Sequence, residues 1–231
     1  MYSGGLIYGI DSSYILLIVV TFAIGMASQF YINSTYKRWS RVRSSAGVPG
    51  AQVARQMLDA EGASQVGIDE IPGELTDNYN PRDNKLHLSH ENFAQGSVAG
   101  VAVACHEAGH AVQNARGFVP MRIRSALVPV VNFASTIWIF VLLAGSFLHI
   151  AGLTTAAIVL FSFSVLFHLV TLPVEIDASR RAVAYIASSG LSDRDVRGAR
   201  SVLTAAALTY VSAALISVLQ LLYLLGRNNR N

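Results

Sequence analysis

Between Arg124 and Glu175 the chain runs for 50 residues without an aspartate, glutamate, lysine or arginine. As one helix that run would extend ~75 Å against a hydrocarbon core of ~30 Å, so it must turn back on itself. His149-Ile150-Ala151-Gly152 is the natural hairpin, which predicts spans near 126–148 and 153–172. Tyr14 to Ile32 is another uncharged run long enough to cross. Ser201 to Leu225 is a fourth, entered through Ser192-Asp193-Arg194-Asp195, a capping-box-like helix start. A composition of 52% hydrophobic and 13% charged residues agrees with a membrane protein.

The formal charge of +3 says less than its distribution. Lys37, Arg38, Arg41 and Arg43 follow the first span, Arg116, Arg122 and Arg124 precede the second, and Arg180, Arg181, Arg194, Arg197 and Arg200 lie between the third and fourth. The N-terminal tail and the 149–152 turn carry no Lys or Arg, so the positive-inside rule places 33–124 and 173–200 in the cytoplasm and both termini outside. Arg227 and Arg230 run against that orientation. Flanking charge on a membrane protein accounts for these arginines better than nucleic-acid binding does. The first span has no basic region before it and is expected to stay as an anchor rather than be cleaved. The single cysteine, Cys105, excludes an intrachain disulfide and reads as a small apolar filler.

The chemistry-bearing stretch is His106-Glu107-Ala108-Gly109-His110. On a helix the two histidines stand one turn apart on one face and can reach one ion, with Glu107 beside them. In this H-E-x-x-H arrangement two neutral imidazoles bind Zn²⁺ and the glutamate acts as general base. With 6 His and 6 Glu in 231 residues, chance supplies the pattern roughly 0.004 times, so it calls for a chemical reading. The context fits: Ser97 to Asn114 reads as one buried helix of small and β-branched residues, stopped near Gly117. Before it, Val48 to Ala60 reads as a short amphipathic helix ending at Gly62. Gln65 to Ile71 and Lys85 to Ser89 read as short strands on either side of a turn at 80–84.

A catalytic zinc normally takes three protein ligands. His149 falls in the hairpin on the opposite membrane face, and His168 reads as a buried, hydrogen-bonded histidine within the third span. Glu175 and Asp177 remain. Two crossings separate them from the H-E-x-x-H helix, which returns the chain to the same side, so either can meet the histidines. On one helix they stand about 200° apart, and only one can face the metal.

HEAGHAVQ, the preceding TDNYNPRDNKLHLS, the later EIDASRRA and the final LTAAALTYV together resemble the membrane-bound neutral zinc metallopeptidases of the YugP type, similar in layout to the HtpX and CAAX-protease group of gluzincins. The resemblance covers about Ser45 to Tyr210. It implies that His106, His110 and Glu175 bind Zn²⁺, that Glu107 is the catalytic base, and that the protein sits in a bacterial inner membrane. The longer side chain of Glu175 also favours it over Asp177. In the HtpX-like group an aspartate four residues past the ligand glutamate contacts a ligand histidine; here Ser179 stands there, so the support around the ligands must differ, with Ser179 and Asp177 as its candidates. Asn78 and Asn80 stand where the YugP-type pattern often shows histidine and aspartate.

The expectation is therefore a mainly α, polytopic membrane protein with about four transmembrane helices and a small α+β cytoplasmic part, forming one metallopeptidase domain over residues 1–231. Its partners would be the bilayer and a membrane-associated protein or peptide, not nucleic acid. Leu86, His87 and Leu88 are candidates to hold an extended substrate by strand addition. Tyr185, Arg180 and Arg181 are candidate oxyanion donors. A site-2-type intramembrane protease is the nearest rival, but it needs a carboxylate ligand within a span, and neither 126–172 nor 201–225 contains one. A non-catalytic zinc scaffold is the other; Glu107 argues against it, because a structural zinc needs no base.

Overall fold

The computed structural model describes residues 12–228. In chain order these form α1 (Ser12–Ser40), α2 (Gly50–Ala60), β1 (Gly67–Ile71), β2 (Asn78–Asn80), β3 (Lys85–Ser89), α3 (His90–Ala94), α4 (Val98–Ala115), α5 (Val119–Leu148), α6 (Ala151–Ser188) and α7 (Asp193–Asn228). Among the described residues, four helices are long and apolar enough to cross a membrane: α1, α5, α6 and α7. All four extend beyond the spans expected from hydropathy. Pro173, one residue past the third expected span, lies inside α6. A proline in mid-helix forfeits the bond to the carbonyl four residues back without ending the helix when neighbouring packing holds it.

The described parts of Met1–Gln29, Ala126–Leu169 and Val211–Asn231 make one compact unit. Its aromatic residues pair across helices, Trp138 with Phe161 at 4.7 Å between ring centroids and Tyr14 with Tyr223 at 5.3 Å. The α5–α6 turn passes through His149 in the left-handed region (φ 56°). Large apolar side chains such as Phe22, Phe140 and Phe147 face outward, as a surface solvated by lipid rather than water requires.

Phe30–Ser125 and Val170–Tyr210 make the second unit. Its core is the near-continuous apolar surface of α4, against which α2 lays Val53, Ala54, Met57 and Leu58. The Ser97 hydroxyl accepts the Gly100 amide at 3.0 Å, starting α4 as an N-cap should, and Gly117, at φ +65°, ends it. At the start of α7, the expected capping box closes only halfway. The Ser192 hydroxyl accepts the Asp195 amide at 3.3 Å, but the Asp195 carboxylate turns away to bind the Ser45 amide at 2.8 Å and the hydroxyls of Ser44 and Ser45. That carboxylate ties the chain after α1 to the start of α7.

The sheet order is β1-β3-β2. β1 runs parallel to β3, Gly67 opposite Lys85, and β2 runs antiparallel to it, Tyr79 opposite Leu86. This corrects the role expected for Leu86, His87 and Leu88. A strand flanked on both edges has no free backbone groups to offer an added strand, and Leu86 and Leu88 are fully buried. His87 instead meets Asp83, 2.9 Å from its Nε2. The free edges belong to β1 and β2, and β2 is absent from the sequence-based expectation because three polar-aromatic residues carry no readable alternation.

Candidate metal centre

The helix that carries the histidines lies against α6 at a point where Gly109 of α4 has no room for a side chain. A Cβ at Gly109 would sit 2.8 Å from the Ala178 carbonyl oxygen. The α6 face at this contact reads Val174, Glu175, Ala178, Ala182 and Ile186, all essentially buried. One carboxylate in an otherwise apolar stripe, 2% exposed, would be costly without partners. Its partners are the two histidines: Glu175 Oε2 lies 3.2 Å from His106 Nε2 and 3.5 Å from His110 Nε2. The three side chains offer ligand atoms within 4.8 Å of one another.

Each imidazole is turned by a partner on its other nitrogen. The fully buried Gln113 donates its amide to the Val174 carbonyl at 2.8 Å and to Asp177 Oδ2 at 2.9 Å, so its Oε1 faces His110 Nδ1 at 3.0 Å and accepts that proton. Arg181 Nε anchors Asp177 at 2.7 Å. His106 Nδ1 meets the Ser179 hydroxyl at 3.2 Å. Gln113 thus sets the proton of neutral His110 on Nδ1, and in both rings Nε2 is the nitrogen turned toward Glu175, as a metal ligand needs. Burial by itself would depress the His110 pKa, but the hydrogen bond to Glu175 and the charges of Glu107 and Glu175 outweigh it, and the net shift is upward.

Glu107 points to the sheet. Its Oε2 accepts the Tyr79 backbone N–H at 2.9 Å, a group on the open edge of β2. Tyr79 is itself fixed, its hydroxyl accepting from Asn114 at 2.9 Å and donating to Asn84 at 3.0 Å. Asp177, the rival ligand, faces Gln113 and Arg181 and not the imidazole Nε2 atoms.

Sequence reasoning missed Gln113, Tyr79, Arg124 and Tyr210. Gln113 stands three residues after His110, so helical spacing alone could have found it. The others reach the site through the tertiary fold: Arg124 Nη2 lies 3.8 Å from Glu175 Oε1, and Tyr210 lies within electrostatic reach of the Glu175 carboxylate. Of the expected oxyanion candidates, Arg181 is taken up by Asp177, and Arg180 lines a cavity of about 450 Å³ beside α7 with Ser179 and Arg200. The Tyr185 backbone carbonyl accepts the Ser188 and Ser189 hydroxyls.

Two imidazole nitrogens and one carboxylate, with a second carboxylate beside them on a helix in a chain of four apolar helices, make a candidate metal centre in a membrane protein. Comparison with known proteins gives the family. The chain belongs to the family described as "putative neutral zinc metallopeptidase", whose sequence model matches residues 14–229. It is also 39% identical over 210 residues to the "putative membrane protease YugP" of Bacillus subtilis (strain 168), covering 90% of this chain and 93% of that one. No solved structure matches it. Zinc is the family's metal, and the donor set fits it: nitrogen and oxygen ligands, three in number, around a buried carboxylate.

Proposed function

We propose that this chain is a zinc endopeptidase that cleaves peptide bonds of membrane-associated proteins at the cytoplasmic face of the membrane. The convergence of His106 Nε2, His110 Nε2 and Glu175 Oε2 beside Glu107 carries the reading. Two of these residues come from α4 and one from a distant turn of α6, and both imidazoles are turned to present Nε2. Zinc held by these three residues supplies Lewis-acid chemistry and an acidified water.

The remaining chemistry belongs to the chain. Glu107 takes a proton from the attacking water on a carboxylate oxygen and returns it to the leaving amine. The Tyr79 N–H holds that carboxylate in place before substrate arrives. An extended peptide adds along the open edge of β2, which puts its backbone beside Glu107; β3 is unavailable for this. The orientation is supported by the basic residues within 37–43, 116–124 and 180–200 and by the 149–152 turn, which carries no Lys or Arg.

Glu107→Gln keeps size and hydrogen-bonding capacity but cannot accept the proton. Purified in detergent, the variant should retain zinc close to the wild-type content while hydrolysis of an unstructured protein substrate falls by ~10²–10⁴-fold. His106→Ala should lose metal and activity together. A wild type that holds zinc and cleaves nothing would favour a scaffold, and a fully active Glu107→Gln would refute the mechanism.

A further inference from the structure

We infer that the groove between α6 and α7 binds an anionic phospholipid, its phosphate held between Arg180 and Arg200 and its upper acyl segment laid on the apolar floor. The groove is a cavity of about 450 Å³ lined entirely by these two helices. Its floor is Ile176, Val183, Ala184 and Ala187 from α6 with Leu203 and Ala207 from α7. No aspartate or glutamate lines it, and its charges are the two guanidiniums. The carboxylates that could neutralise them are engaged elsewhere. Glu175 meets the histidines, Asp177 binds Arg181 at 2.7 Å, and Asp195 binds the Ser45 amide at 2.8 Å. Two guanidiniums on one apolar cavity repel each other. A single phosphate between them reverses the sign of that interaction and accepts forked N–H bonds from both sides.

The depth of the groove selects a lipid over a soluble anion. α6 leaves its apolar span near residue 172 and α7 enters its own near 201, so Ile176 and Ala207 mark the membrane-ward end. Arg180 lies one turn, ~6 Å, beyond Ile176, and Arg200 lies two turns, ~10 Å, before Ala207. A bilayer passes from acyl chains through its headgroup layer over ~5–8 Å on each side, so the apolar end of the groove meets chains where the arginines meet phosphates. Arginines that merely flank a span reach the interface separately. Here two of them, from different helices, share one pocket with an apolar floor, the arrangement that recognises an anionic headgroup together with its chain. A soluble anion would engage the arginines and leave Ile176, 45% exposed, uncovered. The groove also adjoins the metal centre: Ser179 lines it and meets His106 Nδ1 at 3.2 Å, so its occupant packs against a support of a ligand histidine. The lipid site needs no peptidase activity, only that α6 and α7 cross the bilayer.

Delipidated protein in neutral detergent can be titrated with dioleoyl phosphatidylglycerol or dioleoyl phosphatidylcholine and read by native mass spectrometry. It should hold one phosphatidylglycerol at least ~10-fold more tightly than phosphatidylcholine. Arg180→Gln and Arg200→Gln should each cost ~5-fold of that affinity and the double variant ~30-fold. Arg197→Gln, on α7 but outside the groove, should cost less than about twofold. Ala184→Leu keeps both charges and fills the floor, and it should lose the lipid as the double variant does. Wild-type zinc content and melting temperature in each variant establish that the fold is kept. Millimolar inorganic phosphate should leave the bound lipid in place. Equal affinity for the two lipids, or an equal loss in Arg197→Gln, would reduce the effect to diffuse surface charge and overturn the site. Wild-type binding by Ala184→Leu would put the lipid elsewhere. Displacement by phosphate would make the groove a soluble-anion site, and displacement by an unstructured protein substrate would assign it to substrate; either result overturns the proposal.

Discussion

Glu175 and Asp177 are two residues apart on one helix and have opposite surroundings. Glu175 meets two imidazoles, whereas Asp177 is committed to Gln113 and Arg181. Glu175→Ala should therefore lose zinc, and Asp177→Ala should keep most of it while weakening affinity through Gln113, both read by metal analysis of the purified protein. Ser179 makes a neutral bond to His106 where the HtpX-like group places a carboxylate. Ser179→Ala should weaken zinc binding by ~10-fold and Ser179→Asp should tighten it, because a charged acceptor raises the basicity of the ligand imidazole. A metal ligand must be deprotonated, and the raised His110 pKa means that protons compete with zinc from higher pH than at an ordinary histidine. The zinc dissociation constant should consequently rise as pH falls through and below neutrality. Cys105, beside His106, is fully buried, and burial pushes its thiol up to about 12. It should resist maleimide until the protein is unfolded, as a packing residue does.

The contact between α4 and α6 decides whether a metal site exists at all. Gly109 lies mid-helix, where Gly→Ala ordinarily stabilises by about 1 kcal/mol. Here the added Cβ would meet the Ala178 carbonyl at 2.8 Å, against backbone that cannot move aside cheaply. Overpacking costs ~1–3 kcal/mol, so Gly109→Ala should be net destabilising and should lower zinc affinity by moving Glu175 away from the histidines. Gly226→Ala, with nothing within 4 Å, should show no such loss. Thermal melts with and without zinc separate the two. β2 is the other decisive element. Its three residues close one side of β3 and present Tyr79 N–H to Glu107, so the edge proposed for substrate is this short neighbour and not the strand with the clear alternating pattern.

At the scale of the molecule, the distribution of charge predicts its orientation. Cysteines placed at Leu75 and Ser189, with Cys105 replaced by alanine, should be protected from an impermeant thiol reagent in intact cells, while one at Gly152 should react. Labelling of Leu75→Cys but not Gly152→Cys would invert the orientation and place the site outside. The exposed apolar side chains of α1, α5, α6 and α7 also require detergent or lipid, and zinc loading should be measured with either present.

The sequence by itself determined the four apolar helices, because the bilayer admits few solutions to an uncharged run of such length, and the pair of histidines with their glutamate, because helical spacing alone puts them on adjoining faces. It also placed α2 and β3, where the periodicity is clear, and the core of β1, where weak alternation is bounded by Pro72-Gly73. Glu175 was narrowed to one of two by the parity of membrane crossings, and its preference over Asp177 came with the family resemblance. Only the tertiary structure decided that α6 runs unbroken through Pro173 to bring Glu175 onto the histidines, that Ser179 and Gln113 turn the two imidazoles, and that Tyr79 and Arg124 close around the site. Apart from Gln113, which shares the H-E-x-x-H helix, these residues lie outside it, with no helical spacing to connect them to it. Their juxtaposition depends on where α4, α5, α6 and α7 pack, a property of side-chain volume summed over whole faces and not of any local pattern.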